Sequence, residues 1–98
     1  MASASGTTGS SAATVQSGAT AATAAAGELA LGFYADSGFG ASLTAGAGFT
    51  QRGNVSPDGD IEFLTEDAPV GLGATPSASA GTGARTVWLM ATIVFKTA

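Results

Sequence analysis

The stretch Val87-Trp88-Leu89-Met90-Ala91-Thr92-Ile93-Val94-Phe95, inside a run from Arg85 to Lys96, decides the fold class. Successive side chains of a strand point to opposite faces. Val87, Leu89, Ala91, Ile93 and Phe95 therefore share one side, and Trp88, Met90, Thr92, Val94 and Lys96 the other. The first side is unbroken apolar surface and the second is largely apolar. A strand apolar on both sides reads as one in mid-sheet with cover above and below.

Two upstream runs repeat the alternation. From Glu28 to Ala35, Leu29, Leu31, Phe33 and Ala35 fall opposite Glu28, Ala30, Gly32 and Tyr34. From Asp60 to Asp67, Ile61, Phe63 and Thr65 alternate with Glu62, Leu64 and Glu66. Period-two patterning with one apolar side predicts strands whose core is Leu29, Leu31, Phe33, Ile61, Phe63, Val87, Leu89, Ile93 and Phe95.

Turn signals punctuate these runs. Asp36-Ser37-Gly38 ends the first, the Gly- and Ala-rich loop Phe39 to Gly48 follows, and Phe49 to Val55 resumes a strand. Ser56-Pro57-Asp58-Gly59 is the sharpest turn, with proline presetting φ and Asp-Gly accepting positive φ. Pro69 ends the next strand, Val70 to Ala80 reads as a short strand that Pro76 forces to an edge or bulge, and Gly81-Thr82-Gly83 turns the chain again. Turns every ten or so residues, without a helical run, predict an all-β fold, an antiparallel β-sandwich of jelly-roll type.

Residues 1–27 are Ala, Ser, Thr and Gly apart from Met1, Val15 and Gln16. Such composition reads as a linker, yet thin strands on a closely packed sheet have the same composition. Two lean strands are expected, near Ala2–Thr8 and Ala13–Thr23, with Gly9-Ser10-Ser11 turning between them. The segment Ala2 to Thr23 is expected to be ordered by the rest of the fold or by a neighbouring copy. The chain reads as one β domain over 1–98, with 1–27 as lean strands or an arm and 28–98 as core strands.

Only 10% of the 98 residues are charged, against about 25% in an ordinary soluble domain. Either part of the surface meets neighbours rather than water, or Ser, Thr and Gly solvate it in place of charges, as in secreted β modules. The net charge is −4, and Arg52, Arg85 and Lys96 lie far apart in sequence. Nucleic acid and anionic membranes need clustered Lys and Arg, so neither is an expected partner. No run reaches the roughly 18 apolar residues of a membrane span, and the small polar residues after Met1 do not read as the basic start and apolar centre expected of a secretory leader. With no Cys and no His, the usual general base, thiol nucleophile and zinc ligands are missing, and no cofactor is expected. Gly46-Ala47-Gly48 resembles a phosphate loop only superficially, since no Lys-Ser/Thr pair follows.

Two groups invite a site reading. Trp88, Tyr34 and Phe39 are the aromatics to weigh for ligand contact. If their strands pair, Trp88 and Tyr34 share an outer face as a sugar-stacking platform, or else cap a second core layer or subunit interface. Asp58, Asp60 and Glu62, with Glu66 or Asp67, are a weak Ca²⁺ candidate. The competing reading has Asp58 shaping the turn, Asp60 and Glu62 solvated, and Asp67 anchoring backbone N–H groups beside Pro69.

From Thr14 onward the chain resembles a β-sandwich module common in bacterial secreted multidomain proteins and in phage tail or surface proteins. The likeness rests on Ala26-Gly27-Glu28-Leu29-Ala30-Leu31-Gly32, on Thr44-Ala45-Gly46-Ala47-Gly48-Phe49-Thr50-Gln51-Arg52, on Thr65-Glu66-Asp67, and on Trp88 through Phe95-Lys96. It implies a sandwich fold without catalytic residues. Modules of this type are usually longer, with further strands upstream of the point where this chain starts. The expected function is therefore non-enzymatic: a structural assembly module of a virion surface, fibre or other extracellular array, as a homo-oligomer or among neighbouring structural subunits. The alternative is a carbohydrate- or surface-binding accessory module of a secreted protein, with a polysaccharide as partner.

Overall fold

The computed structural model describes residues 2–7, 13–38, 42–82 and 87–96. Among them are eight strands: β1 (Ala2–Thr7), β2 (Ala13–Gln16), β3 (Glu28–Asp36), β4 (Thr44–Ala45), β5 (Thr50–Val55), β6 (Glu62–Val70), β7 (Ser79–Thr82) and β8 (Val87–Phe95). All pairings are antiparallel. One sheet runs β1-β8-β3-β6-β5 and the other β2-β7-β4. The all-β sandwich expected from the alternating runs is the fold observed.

The connectivity is that of a long hairpin rolled up. β1 lies beside β8, β2 beside β7 and β3 beside β6, so first meets last in nested pairs. This is jelly-roll order, with β5 departing from it by joining β6 in the larger sheet. Arg52 is the extra residue at the register shift between Gln51 and Gly53, where β5 bulges against β6.

The lean N-terminal strands are present. β1 closes one edge of the larger sheet against β8, and β2 pairs with β7. The expected Gly9-Ser10-Ser11 turn lies outside the described residues, as does Gly83. Beyond β2 the chain is not strand but runs beside 71–78. There Ser17 N–H donates to Ala78 O (3.1 Å), Thr20 N–H to Pro76 O (3.0 Å) and Thr23 N–H to Ala74 O (2.8 Å). The described parts of the N-terminal segment thus pair with their own chain, and this backbone pairing compensates for what small side chains cannot bury. Three local expectations need correcting. No strand runs from Val70 to Ala80: Val70 ends β6, 71–78 is not strand and Ser79 begins β7. Pro69 sits inside the last part of β6 opposite Leu29 rather than ending the strand, and Gly81 and Thr82 belong to β7 rather than to a turn.

The main correction concerns which side faces the core. Tyr34, Leu64 and Met90, in one cross-strand row, are fully buried between the sheets, with Val15, Leu43, Ala78 and Ala80 from the opposing layer. The residues expected as core point the other way. Leu31, Phe33 and Phe63 are only half-buried, and Leu29, Ile61, Val87, Leu89, Ile93 and Phe95 are exposed, with Leu89 at 45% and Phe95 at 53%. β8 does lie in mid-sheet, but it is covered on one side only.

Packing explains the choice. A Cβ added to Gly32 would stand 2.7 Å from the Cβ of Ala78 and 2.8 Å from Cγ of Glu66. The smaller sheet therefore approaches the side carrying Ala30, Gly32 and Ala68, where little stands in its way. The Leu and Phe side offers no such clearance. Period two assigns residues to a common side, but a sheet apolar on both sides leaves open which one the second layer takes.

Candidate functional site

The inner side of the larger sheet mixes apolar and acidic side chains in cross-strand rows. Glu62, Asp36 and Trp88 form one row, Leu64, Tyr34 and Met90 the next, and Glu66, Gly32 and Thr92 the third. Glu28, Asp36, Glu62 and Glu66 are all buried. Unpaired charge is costly there, so each carboxylate is expected to meet donors.

The donors are mostly loop backbone. Glu66 Oε2 accepts from Gly46 N–H (2.7 Å), Glu28 Oε2 from Ala25 N–H (3.1 Å) and Glu62 Oε2 from Asp58 N–H (2.8 Å). Asp36 accepts from the Tyr34 hydroxyl (2.8 Å) and from Gly38 N–H (2.8 Å). Gly38 holds a positive φ of 80°, and a Cβ there would meet the Asp60 backbone. Burial pushes the Glu66 carboxyl above its ordinary value, while backbone hydrogen bonds from Gly46 and Ser79 pull it down. These acids pin loops to the sheet. Sequence reasoning missed that role, although the signal was present: Glu62 and Glu66 flank Leu64 on one side of β6.

Thr92 joins the layers. Its Oγ1 accepts from Ala78 N–H (2.9 Å) and lies 2.6 Å from Ser17 Oγ, which donates to Gly18 O (2.8 Å). One proton per hydroxyl then fixes the order: Ala78 N–H to Thr92, Thr92 to Ser17, Ser17 to Gly18.

The sequence-predicted aromatics do share a face, but it is the inner one. Tyr34 is fully buried with its hydroxyl on Asp36, and Trp88 is half-buried against the core cluster. The outer sugar platform is therefore corrected to the alternative reading, a core layer. The reason is the same inversion of sides. Phe39 lies outside the described residues.

The acidic turn behaves as a turn. Asp58 Oδ1 accepts from Asp60 N–H (2.8 Å) and Ile61 N–H (3.3 Å), across a segment with a cis Ser56–Pro57 bond. Asp60 is exposed, while Glu62 is fully buried rather than solvated. Among the described residues no group of three or more acids is placed to hold a metal ion. Asp67 does not anchor backbone beside Pro69; it accepts from Arg52 Nε–H at 2.9 Å and from an Nη2–H at 3.1 Å. A cavity of about 220 Å³ lies at one end of the sandwich, lined by Thr20, Thr23, Glu28, Val94 and Lys96 among others.

What stands out chemically is the outer side of the larger sheet. Leu29 and Phe95 are register partners there, as are Leu31 and Ile93, and Ala35 lies between Phe63 and Leu89. Among the described residues, the charges on this side are Asp67, beside Leu31, and the Arg52 guanidinium that pairs with it. No protein-family model, curated protein or solved structure matches the chain.

Proposed function

We propose that the chain is a non-enzymatic structural module that acts by assembly, as a subunit of a virion surface, a fibre or another ordered array outside the cell. The observation that carries this reading is the largely apolar outer side of β8, β3 and β6, the three central strands of the larger sheet. Monomeric soluble proteins rarely leave so contiguous an apolar surface in water. The β1 edge adds a second contact surface. Its sequence, ASASGT, has no charge and no proline, the devices that natural edge strands use against pairing. The opposite edge, β5, carries Arg52 and a bulge. An array needs more than one contact per subunit, and a face together with an open edge provides two.

The chemistry of the interior supports the non-enzymatic part. Each buried carboxylate has an oxygen engaged by a loop N–H group or a tyrosine hydroxyl, with Glu28 Oε1 and Glu66 Oε1 buried without a partner among the described residues, and the chain has neither His nor Cys. The carbohydrate alternative loses support because Tyr34 is inaccessible. Light scattering and negative-stain microscopy of the purified chain across a concentration series test the proposal. Growth beyond a single copy is expected. A chain that stays single at the highest soluble concentration contradicts it.

A further inference from the structure

Resting on that assembly reading, we infer that the outer side of the β1-β8-β3-β6-β5 sheet is covered by the same side of a second copy, two sheets stacked face to face about a two-fold axis.

Three observations select a second copy as the occupant. The first is area. β3, β6 and β8 each have nine residues and β1 and β5 six, so at about 3.3 Å per residue and about 4.8 Å between strands the five-stranded face covers roughly 600 Å² per copy. That is the lower end of the roughly 600–1,000 Å² per partner of a stable complex. The second is charge. An isologous contact sets a surface against itself, so any unpaired charge near the axis would meet its own kind. On this face Asp67 is already neutralised by Arg52 through two hydrogen bonds, although the whole chain carries −4. The third is the pattern of β8, apolar on both sides. Its inner side is covered by the chain's own second sheet, and an apolar layer stacked about 10 Å away completes the cover.

Leu89 lies near the middle of the exposed row, between Val87 and Ile93, and Ala35 is its neighbour on β3. A carboxylate there would face its symmetry mate or a desolvated Leu or Phe. Leu89→Asp and Ile93→Lys introduce opposite charges at two exposed positions and so leave the inner core intact.

Sedimentation velocity of the full chain from about 1 to 500 μM, with Trp88 fluorescence as the fold check, tests the inference. The expected result is a reversible monomer–dimer equilibrium weakened about a hundredfold or more by each variant, the loss typical of a hot-spot side chain replaced on both copies. Association that survives both variants overturns the face-to-face contact and leaves the assembly reading standing through another surface. A wild-type chain that is monomeric throughout overturns both. Should the monomeric chain instead bind neutral phosphatidylcholine vesicles and lose that binding in Leu89→Asp, the face belongs to a membrane and the inference fails.

Discussion

Replacing Thr92 by valine keeps the shape and removes one hydroxyl from the middle of the sandwich. Two hydrogen bonds go with it, the 2.9 Å bond from Ala78 N–H and the 2.6 Å bond to Ser17 Oγ. Ala78 N–H is then a buried donor without a partner, which costs about 1–3 kcal/mol. The Ser17 hydroxyl keeps its bond to Gly18 O and loses only an incoming donor, a smaller penalty. A total near 2 kcal/mol is expected, against about 5–15 kcal/mol for a folded domain. At about 4–8 °C per kcal/mol for a chain of this size, the melting temperature should fall by roughly 8–16 °C. Urea unfolding followed through Trp88, the only tryptophan, measures the loss directly. A cycle with Ser17→Ala isolates the coupling between the two hydroxyls. A neutral or stabilising Thr92→Val would refute the reasoning, because it would place Thr92 on the solvent side of β8.

The other predictions follow from the same geometry. At concentrations that keep the chain single, Leu64→Ala should cost about 2–5 kcal/mol, the usual range for a fully buried leucine, while the exposed Leu89→Ala should cost under about 1 kcal/mol in urea unfolding. Gly32→Val, whose Cβ would press on Ala78 and Glu66, should destabilise by about 1–3 kcal/mol or more through overpacking, measured in the same way. Burial raises the folded Glu66 carboxyl above its unfolded value, so the folded chain holds that proton more tightly. Its contribution to stability is complete below the ordinary glutamate value and is lost as pH rises through the raised folded value. Comparing urea midpoints from acid to neutral pH should therefore show a decline that Glu66→Gln flattens.

The strand pattern was legible because alternation is local. Glu28 to Ala35, Asp60 to Asp67 and the run through Phe95 each announce a strand, whereas the composition of the lean segments up to Gln16 fits a linker as well as a thin strand. The choice of side was not legible, because it depends on a second sheet that is itself nearly free of large residues. Ala78 and Ala80 fit against Gly32 and its neighbours only once β7 is in place, and nothing near Leu31 or Phe33 in sequence says so. Hydrophobicity alone favours the wrong side, since Leu, Phe and Ile outweigh Glu28, Gly32 and Glu66. The acids proved affordable inside because loop N–H groups from Gly46, Ala25 and Asp58 reach them, contacts separated from their acceptors by 20, 3 and 4 residues. The site reading failed with the side assignment: Tyr34 and Trp88 were rightly placed together, on the face that turned out to be the interior.

Because the chain has no cysteine, single cysteines at adjacent positions of β8 report the two sides without interference. Thiol-labelling rates of Leu89→Cys and Met90→Cys, in solutions dilute enough to keep the chain single, test the central claim that the larger apolar side of the sheet faces outward. Leu89 is 45% exposed and Met90 fully buried, so the first variant should react at nearly the rate of a free peptide. The second should be slower by at least about a hundredfold, waiting on unfolding. The reverse order, with position 89 protected and position 90 reactive, would contradict the account.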